Sequence, residues 1–168
     1  LLVLDAFQLD DFACEFKVTV YIHRDGPEGW QGTRPFELTR EVIKLKSVEH
    51  QQLEGNVGYV RVKGFQKTTT AELEQALSEL KRSSGLVMDL RGNHGGLLDE
   101  AVKIVDKFVT SGPIVATVGA AEGRDERVAK EAGTEANYPL VVLVNSNSAS
   151  ASEIVAGSLK NHERAVIV

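Results

Sequence analysis

The sequence predicts an α/β fold preceded by a β-rich segment, and three observations support this prediction. The 168 residues are 42% hydrophobic and 26% charged, the balance of one globular domain, or of one domain plus part of another. In residues 16–23, apolar and polar side chains alternate, which is the period of a half-buried strand. From about residue 57 onward, short apolar segments alternate with segments of helical periodicity, which is typical of layered folds with buried strands.

The first part of the chain is expected to contain a hairpin-like pair of strands. After the strand over residues 16–23, residues 24–32 contain three Gly and one Pro and are expected to form a loop. The strand pattern resumes over residues 35–45. Cys14 is the one cysteine in the sequence, so it cannot form an internal disulfide, and we expect it to be a small buried residue.

The second part of the chain is expected to contain five strands and three helices. The first helix is predicted from apolar residues at the i, i+3, i+4 and i+7 positions, with Thr69 and Glu72 as a capping box. Residues 119–137 are polar and without periodicity, so no element is predicted there. The predicted strands are 58–62, 85–90, 114–118, 139–144 and 165–168, and the predicted helices are 70–83, 97–108 and 150–162.

Charge and composition argue against several kinds of partner. The net charge is −5 and no run is rich in Lys or Arg, which disfavours nucleic acid and anionic membranes. No apolar run approaches the ~18 residues of a membrane span, so none is expected. No Cys/His cluster has the spacing of metal ligands, and we expect neither a metal nor a cofactor. The oligomeric state is not indicated by the sequence.

A serine-rich turn, residues 145–154, lies between a buried strand and a predicted helix and could carry chemistry. Ser150 would lie at the helix N-terminus, where free backbone amides favour negative charge. An oxyanion formed by attack of Ser150 could then be bound by the N–H of Ala151. The alternative is purely structural, because Ser150 and Glu153 also have the spacing of a capping box, and such caps are far commoner than nucleophiles.

A glycine-rich turn, residues 89–96, is the second candidate, because glycines permit positive φ and can direct amides toward a ligand. A plain turn before a helix is the alternative. His94 lies in this turn and is expected to be a solvated loop residue rather than a partner of Ser150. If the last helix is continuous, Lys160 and His162 lie about 15 Å and 18 Å along its axis from Ser150, too far for a general base.

Together these segments resemble the carboxyl-terminal processing peptidases, also called tail-specific proteases. The resemblance extends over residues 57–168, and the run of serines and alanines at 148–154 is its most specific part. The other matching stretches, in the order and approximate spacing of the family, are 58–62, 89–91 with Asn93, 95–96, 97–102, 140–145 and 164–168.

The resemblance implies a serine endopeptidase in which Ser150 is the nucleophile. It also implies an oxyanion hole formed by the backbone amides of Gly95 and Ala151. The family uses a lysine as the base, supported by a glutamine, and both would follow Val168. The 168 residues alone are therefore expected to be inactive as a peptidase.

The resemblance further implies a crotonase-like or Clp-protease-like core over residues 49–168, with residues 1–48 as the end of a PDZ domain. The substrates would be the C-terminal tails of polypeptides, in an extracytoplasmic compartment such as the periplasm or a lumen. Two other functions share this fold. One is a non-catalytic ligand-binding member, and the other is a crotonase-like acyl-CoA enzyme, in which Ser150 would have no role.

Overall fold

A computed structural model describes residues 17–27, 29–39, 45–119 and 123–168. It divides into two units between Leu45 and Lys46. The predicted buried position of Cys14 and the later part of the predicted strand 35–45, from residue 40 to 44, lie outside the described residues. No helix within the described ranges has the length and apolar character needed to cross a membrane.

The first unit contains an antiparallel hairpin, as the sequence predicts. Strand β1 (Lys17–Ile22) pairs with β2 (Arg34–Thr39) in a regular register. In the connecting loop, the ring of Trp30 lies 6.1 Å from that of Phe36, and two arginine side chains lie over it. Most side chains of β1 are exposed, so the face predicted to be buried is largely uncovered by the residues that the structure describes.

The second unit is a mixed α/β structure around an open five-stranded sheet. The strand order is β3-β4-β5-β8-β9, in which β3 runs antiparallel to β4 and the other neighbours are parallel. Strands β6 and β7 form a separate antiparallel hairpin. The elements are β3 (Val48–Leu53), β4 (Val57–Val62), α1 (Thr69–Leu80), β5 (Gly85–Asp89), α2 (Leu98–Asp106), β6 (Pro113–Gly119), β7 (Gly123–Val128), β8 (Leu140–Leu143), α3 (Ala151–Asn161) and β9 (Val166–Ile167).

The core lies between one face of this sheet and the three helices. Alternate residues of the parallel strands and the apolar stripes of the helices are fully buried, as their sequence periods predict. This arrangement holds the C-terminal ends of β5 and β8 side by side. The largest contributors are Val60, Val62, Met88, Val142, Leu73, Ile104, Val105, Phe108, Val155 and Leu159.

Two strands, β3 and β7, were not predicted. β3 carries the polar sequence Glu-His-Gln-Gln at positions 49–52 and is an exposed edge strand. All six residues of β7 are exposed. Neither strand buries alternate residues, so neither has the period on which sequence-based prediction relies.

The predicted capping box of the first helix is wrong. The N-cap residue of α1 is Thr68, and no side chain caps it. Glu72 Oε2 accepts hydrogen bonds from the amides of Ser47 (2.7 Å) and Val48 (3.1 Å), at the start of β3. The half-buried carboxylate therefore ties the helix to the edge strand, a contact between distant residues that local spacing cannot reveal.

Candidate active site

The turn between β8 and α3 carries a strained serine. Ser150 has φ 55° and ψ −115°, a conformation that non-glycine residues rarely adopt, and it is exposed. Backbone strain of this kind clusters at functional sites, where the surrounding structure holds it in place. A sharp strand-to-helix turn of this type presents a serine hydroxyl at the end of a sheet in other hydrolases.

Glu153 fixes the backbone of this turn. Its Oε2 accepts a hydrogen bond from the Ser150 amide at 2.7 Å, which is the carboxylate half of the predicted capping box. Ser150 and Glu153 thus form the predicted capping box, and among the described residues the Ser150 hydroxyl donates no hydrogen bond. The two interpretations of this serine are therefore compatible, since the cap uses its amide and the acceptor side of Oγ and leaves the hydroxyl proton free to pass to a base.

Gly95 packs directly against the Ser150 turn. A Cβ atom added at Gly95 would lie 2.8 Å from Ser150 Cβ, 2.9 Å from the Ala149 carbonyl oxygen and 3.0 Å from Ala151 N. Gly95 also has φ 99°. The structure thus brings together Ser150, Ala151 and Gly95, which sequence analysis singled out in turns more than 50 residues apart.

The two amides expected to bind an oxyanion differ in their partners. Ala151 is the first residue of α3, and among the described residues its N–H has no acceptor. The N–H of Gly95 donates to Asn93 Oδ1 at 2.8 Å. Of the two predicted donors, one is therefore open and the other is occupied by a side chain of its own turn.

Asn93 connects the parts of the site, and sequence analysis assigned it no role of its own. It is fully buried, and its Nδ2 donates to the Val62 carbonyl at 2.9 Å. Its carbonyl accepts from Ala149 N at 3.1 Å and from Ser152 Oγ at 2.9 Å. The sequence did hold a signal, because an Asn two residues before Gly95 has the spacing of an Asx turn.

The other candidate bases do not reach Ser150. His94 is exposed, and no titratable side chain of the described residues is hydrogen-bonded to Ser150 Oγ. Lys160 lies in the last turn of α3, and His162 contacts the Pro113 carbonyl at 2.8 Å. Two lysines of α2 and its C-terminus form ion pairs with glutamates, Lys103 with Glu100 and Lys107 with Glu74.

A buried carboxylate anchors the glycine turn at the end of β5. Asp89 Oδ1 accepts from Arg91 N and Nε (both 2.9 Å), and Oδ2 accepts from Arg91 Nη2 (2.7 Å) and Tyr59 OH (2.6 Å). Burial would raise the pKa of the Asp89 carboxyl, but the hydrogen bonds from Arg91 and Tyr59 outweigh it and lower the pKa to about 2. The Asp89 carboxylate therefore stays charged over the whole physiological pH range.

The hydrogen-bonded ion pair of Asp89 and Arg91 predicts a specific loss of stability in acid. The unfolded chain binds a proton at the ordinary value of 3.8, whereas the folded carboxyl resists protonation until about pH 2. The pair therefore contributes up to about 2 kcal/mol above pH 4, which is lost as the pH falls from 4 toward 2. Urea titrations across this range should show a shallower pH dependence for Asp89→Asn than for the unmodified protein. Asp99→Asn, at a side chain that is 72% exposed, is the control and should behave like the unmodified protein.

The sequence matches a known family and curated relatives. The description of peptidase family S41 matches residues 56–168. The carboxy-terminal-processing protease of Bartonella bacilliformis is 38% identical over 160 residues, which are 90% of this chain and 36% of that protein. The carboxyl-terminal-processing protease of Synechocystis is 36% identical over 146 residues, or 83% of this chain and 34% of that protein. The chain thus spans about a third of the length of these relatives.

A solved structure has the same fold. The photosystem II D1 C-terminal processing protease is 34% identical and superposes with a TM-score of 0.67, covering 91% of this chain and 43% of that one. The residues that match family S41, 56–168, contain both the serine turn and the glycine turn.

Proposed function

Because the chain belongs to peptidase family S41, we propose that it contains the nucleophile and oxyanion-binding groups of a serine endopeptidase that cleaves polypeptides near their C-termini. The observation that carries the proposal is Ser150, an exposed serine with a strained backbone, whose hydroxyl proton is donated to no described acceptor and which packs against Gly95. The names of the relatives, which describe C-terminal processing, support the same substrate class.

In the proposed reaction, Ser150 Oγ attacks the carbonyl carbon of the scissile peptide and gives up its proton to a general base. The oxyanion that forms is bound by the N–H of Ala151, which the helix N-terminus makes a favourable donor. The N–H of Gly95 is the second donor, and it exchanges or shares its bond to Asn93 Oδ1 when the oxyanion forms.

The proposed base is a lysine in a segment of the protein after Val168, supported by a glutamine, as in the family that the sequence resembles. A serine hydroxyl is a weak nucleophile and needs such a base at neutral pH. Burial of the lysine would lower its pKa and keep it neutral enough to accept the proton.

The finer assignments belong to the same proposal. The second unit would be a crotonase-like or Clp-protease-like core, and the β1–β2 hairpin would be the end of a PDZ domain. The compartment would be extracytoplasmic, and the substrates would be unstructured tails. An acyl-CoA enzyme or a non-catalytic carrier would give the strained, exposed Ser150 no task, and the relatives' names favour neither.

Covalent labelling tests the assignment of the nucleophile. In the intact protein that includes these residues, a serine-directed fluorophosphonate is expected to modify Ser150 at one site, because only an activated serine reacts. Peptide mapping should show no label on Ser146, an exposed serine of the same turn, or on the buried Ser152. Absence of label, or a label on Ser146 that is as strong, would contradict the proposal.

A further inference from the structure

A polar pocket of about 280 Å³ lies at the C-terminal end of the parallel strands, and no step of the proposed reaction uses it. Two arginines supply its charge, and a buried carboxylate cancels only one of them. The pocket is lined by Arg61, Asp89, Arg91, Gly92 and Asn145.

The acceptor atoms of this pocket are already occupied. Both oxygens of Asp89 receive two hydrogen bonds each, three from Arg91 at its amide, Nε and Nη2 and one from Tyr59. Asn145 Oδ1 accepts from the amides of Gly92 (3.0 Å) and Asn147 (3.1 Å). Since both of those partners are donors, the orientation of the Asn145 amide is fixed and its Nδ2 is left over.

The side-chain groups that remain are all donors. In the part of the chain that the structure describes, the Arg61 guanidinium forms no hydrogen bond or ion pair, although its charge helps to lower the pKa of the Glu49 carboxyl. Glu49, which lies opposite Arg61 in the sheet, is bound by Lys63 instead. Arg91 keeps Nη1 free, and its side chain is 52% exposed although Asp89 holds it in place. A pocket that offers only donors and a net positive charge is complementary to a ligand that has only acceptors.

The pocket shares its walls with the candidate active site. Gly92 begins the turn that ends at Gly95, and its bond to Asn145 joins that turn to the start of the serine turn. The three residues from Gly92 to Gly95 span at most about 10 Å, so the pocket lies beside the turn that packs against Ser150.

We propose that this pocket binds a carboxylate of the polypeptide substrate and so selects where the chain is cut. The proposal rests on the proposed peptidase function. A carboxylate is the acceptor-only group that polypeptides supply, and the planar guanidinium of a fixed arginine matches its geometry. The carboxylate comes from the free C-terminus of the substrate or from an acidic side chain near the cleavage site, and the test distinguishes these sources.

Peptide binding to the intact protein carrying Ser150→Ala tests the pocket without turnover. Fluorescence anisotropy would compare three matched peptides: one with a free C-terminus, one with a C-terminal amide, and one amide with a Glu near its end. The free acid or the Glu peptide is expected to bind about tenfold more tightly than the plain amide. The plain amide lacks a carboxylate, and the loss of one charge-assisted hydrogen bond costs about this much affinity. Arg61→Gln should bring this ratio close to one. Lys160→Gln, which removes a positive charge at an exposed position at the end of α3, should keep it.

The outcomes separate the two proposals. Preference for the free acid identifies the C-terminus as the ligand, and preference for the Glu peptide identifies the side chain. Equal binding of all three peptides, or an unchanged ratio in Arg61→Gln, would overturn the carboxylate pocket. The peptidase function is judged separately, by cleavage of any of the three peptides by protein with Ser150 intact. Selective binding without any cleavage would therefore leave the pocket standing and refute the peptidase.

Discussion

Replacing Ser150 with alanine is expected to abolish cleavage of unstructured polypeptide tails by the intact protein, with a loss in kcat of about 10⁴-fold or more. The loss is large because nucleophile and base act as a unit, so an enzyme without either retains only binding and oxyanion stabilisation. The fold should survive, because Glu153 still binds the amide of residue 150 and loss of the Oγ half of the capping box costs only about 1 kcal/mol. The measurement is turnover of a tagged-tail substrate, with thermal unfolding followed in parallel.

The matched control is Ser146→Ala, an exposed serine of the same turn for which turnover should stay close to that of the unmodified protein. If Ser150→Ala retained full cleavage, another nucleophile would be at work and the assignment would be wrong. If both variants lost activity together with their thermal transition, the turn would be a structural element and the hydroxyl would have no separate role.

Much of this site could be predicted from the sequence because it depends on short-range patterns. The apolar strands and the helical periods indicated the elements on either side of each turn. Ser150 stands directly before a helical stretch, and glycines mark the other turn. That the two turns belong to one site was implied by the family resemblance, because the adjacency of β5 and β8 is a long-range feature that local patterns do not show.

The remaining features depend on contacts between distant residues. The bond from Gly95 N to Asn93 Oδ1 spans two residues, but Asn93 holds that position through Val62, 31 residues away. Glu72 has a cap-like spacing and instead binds the start of β3. The donor-only pocket is apparent only after every hydrogen bond of Asp89 and Asn145 has been assigned. Sequence spacing carries no information on which of several partners a polar side chain chooses.

Gly95→Ala is expected to reduce kcat/KM by about 10²-fold or more, the usual effect of losing one oxyanion-hole donor. The new Cβ would lie 2.8 Å from Ser150 Cβ and 3.0 Å from Ala151 N, closer than van der Waals contact allows. Since the neighbours are backbone atoms or the Cβ of a strained residue, they cannot move aside without displacing the nucleophile. We therefore expect Ser150 to be displaced and the amides of Gly95 and Ala151 to lose their alignment toward the oxyanion.

Backbone strain must be separated from this displacement, because alanine at φ 99° is unfavourable in itself. Gly55→Ala is the control, since Gly55 has φ 71° and nothing within 4 Å of an added Cβ. Both variants should unfold at lower temperature, but only Gly95→Ala should lose cleavage and fluorophosphonate labelling when each is assayed well below its own transition. Equal residual activity in the two variants would show that the contact between Gly95 and Ser150 has no part in the reaction. A selective loss in Gly95→Ala would instead tie the rate to the packing of the glycine turn against the serine.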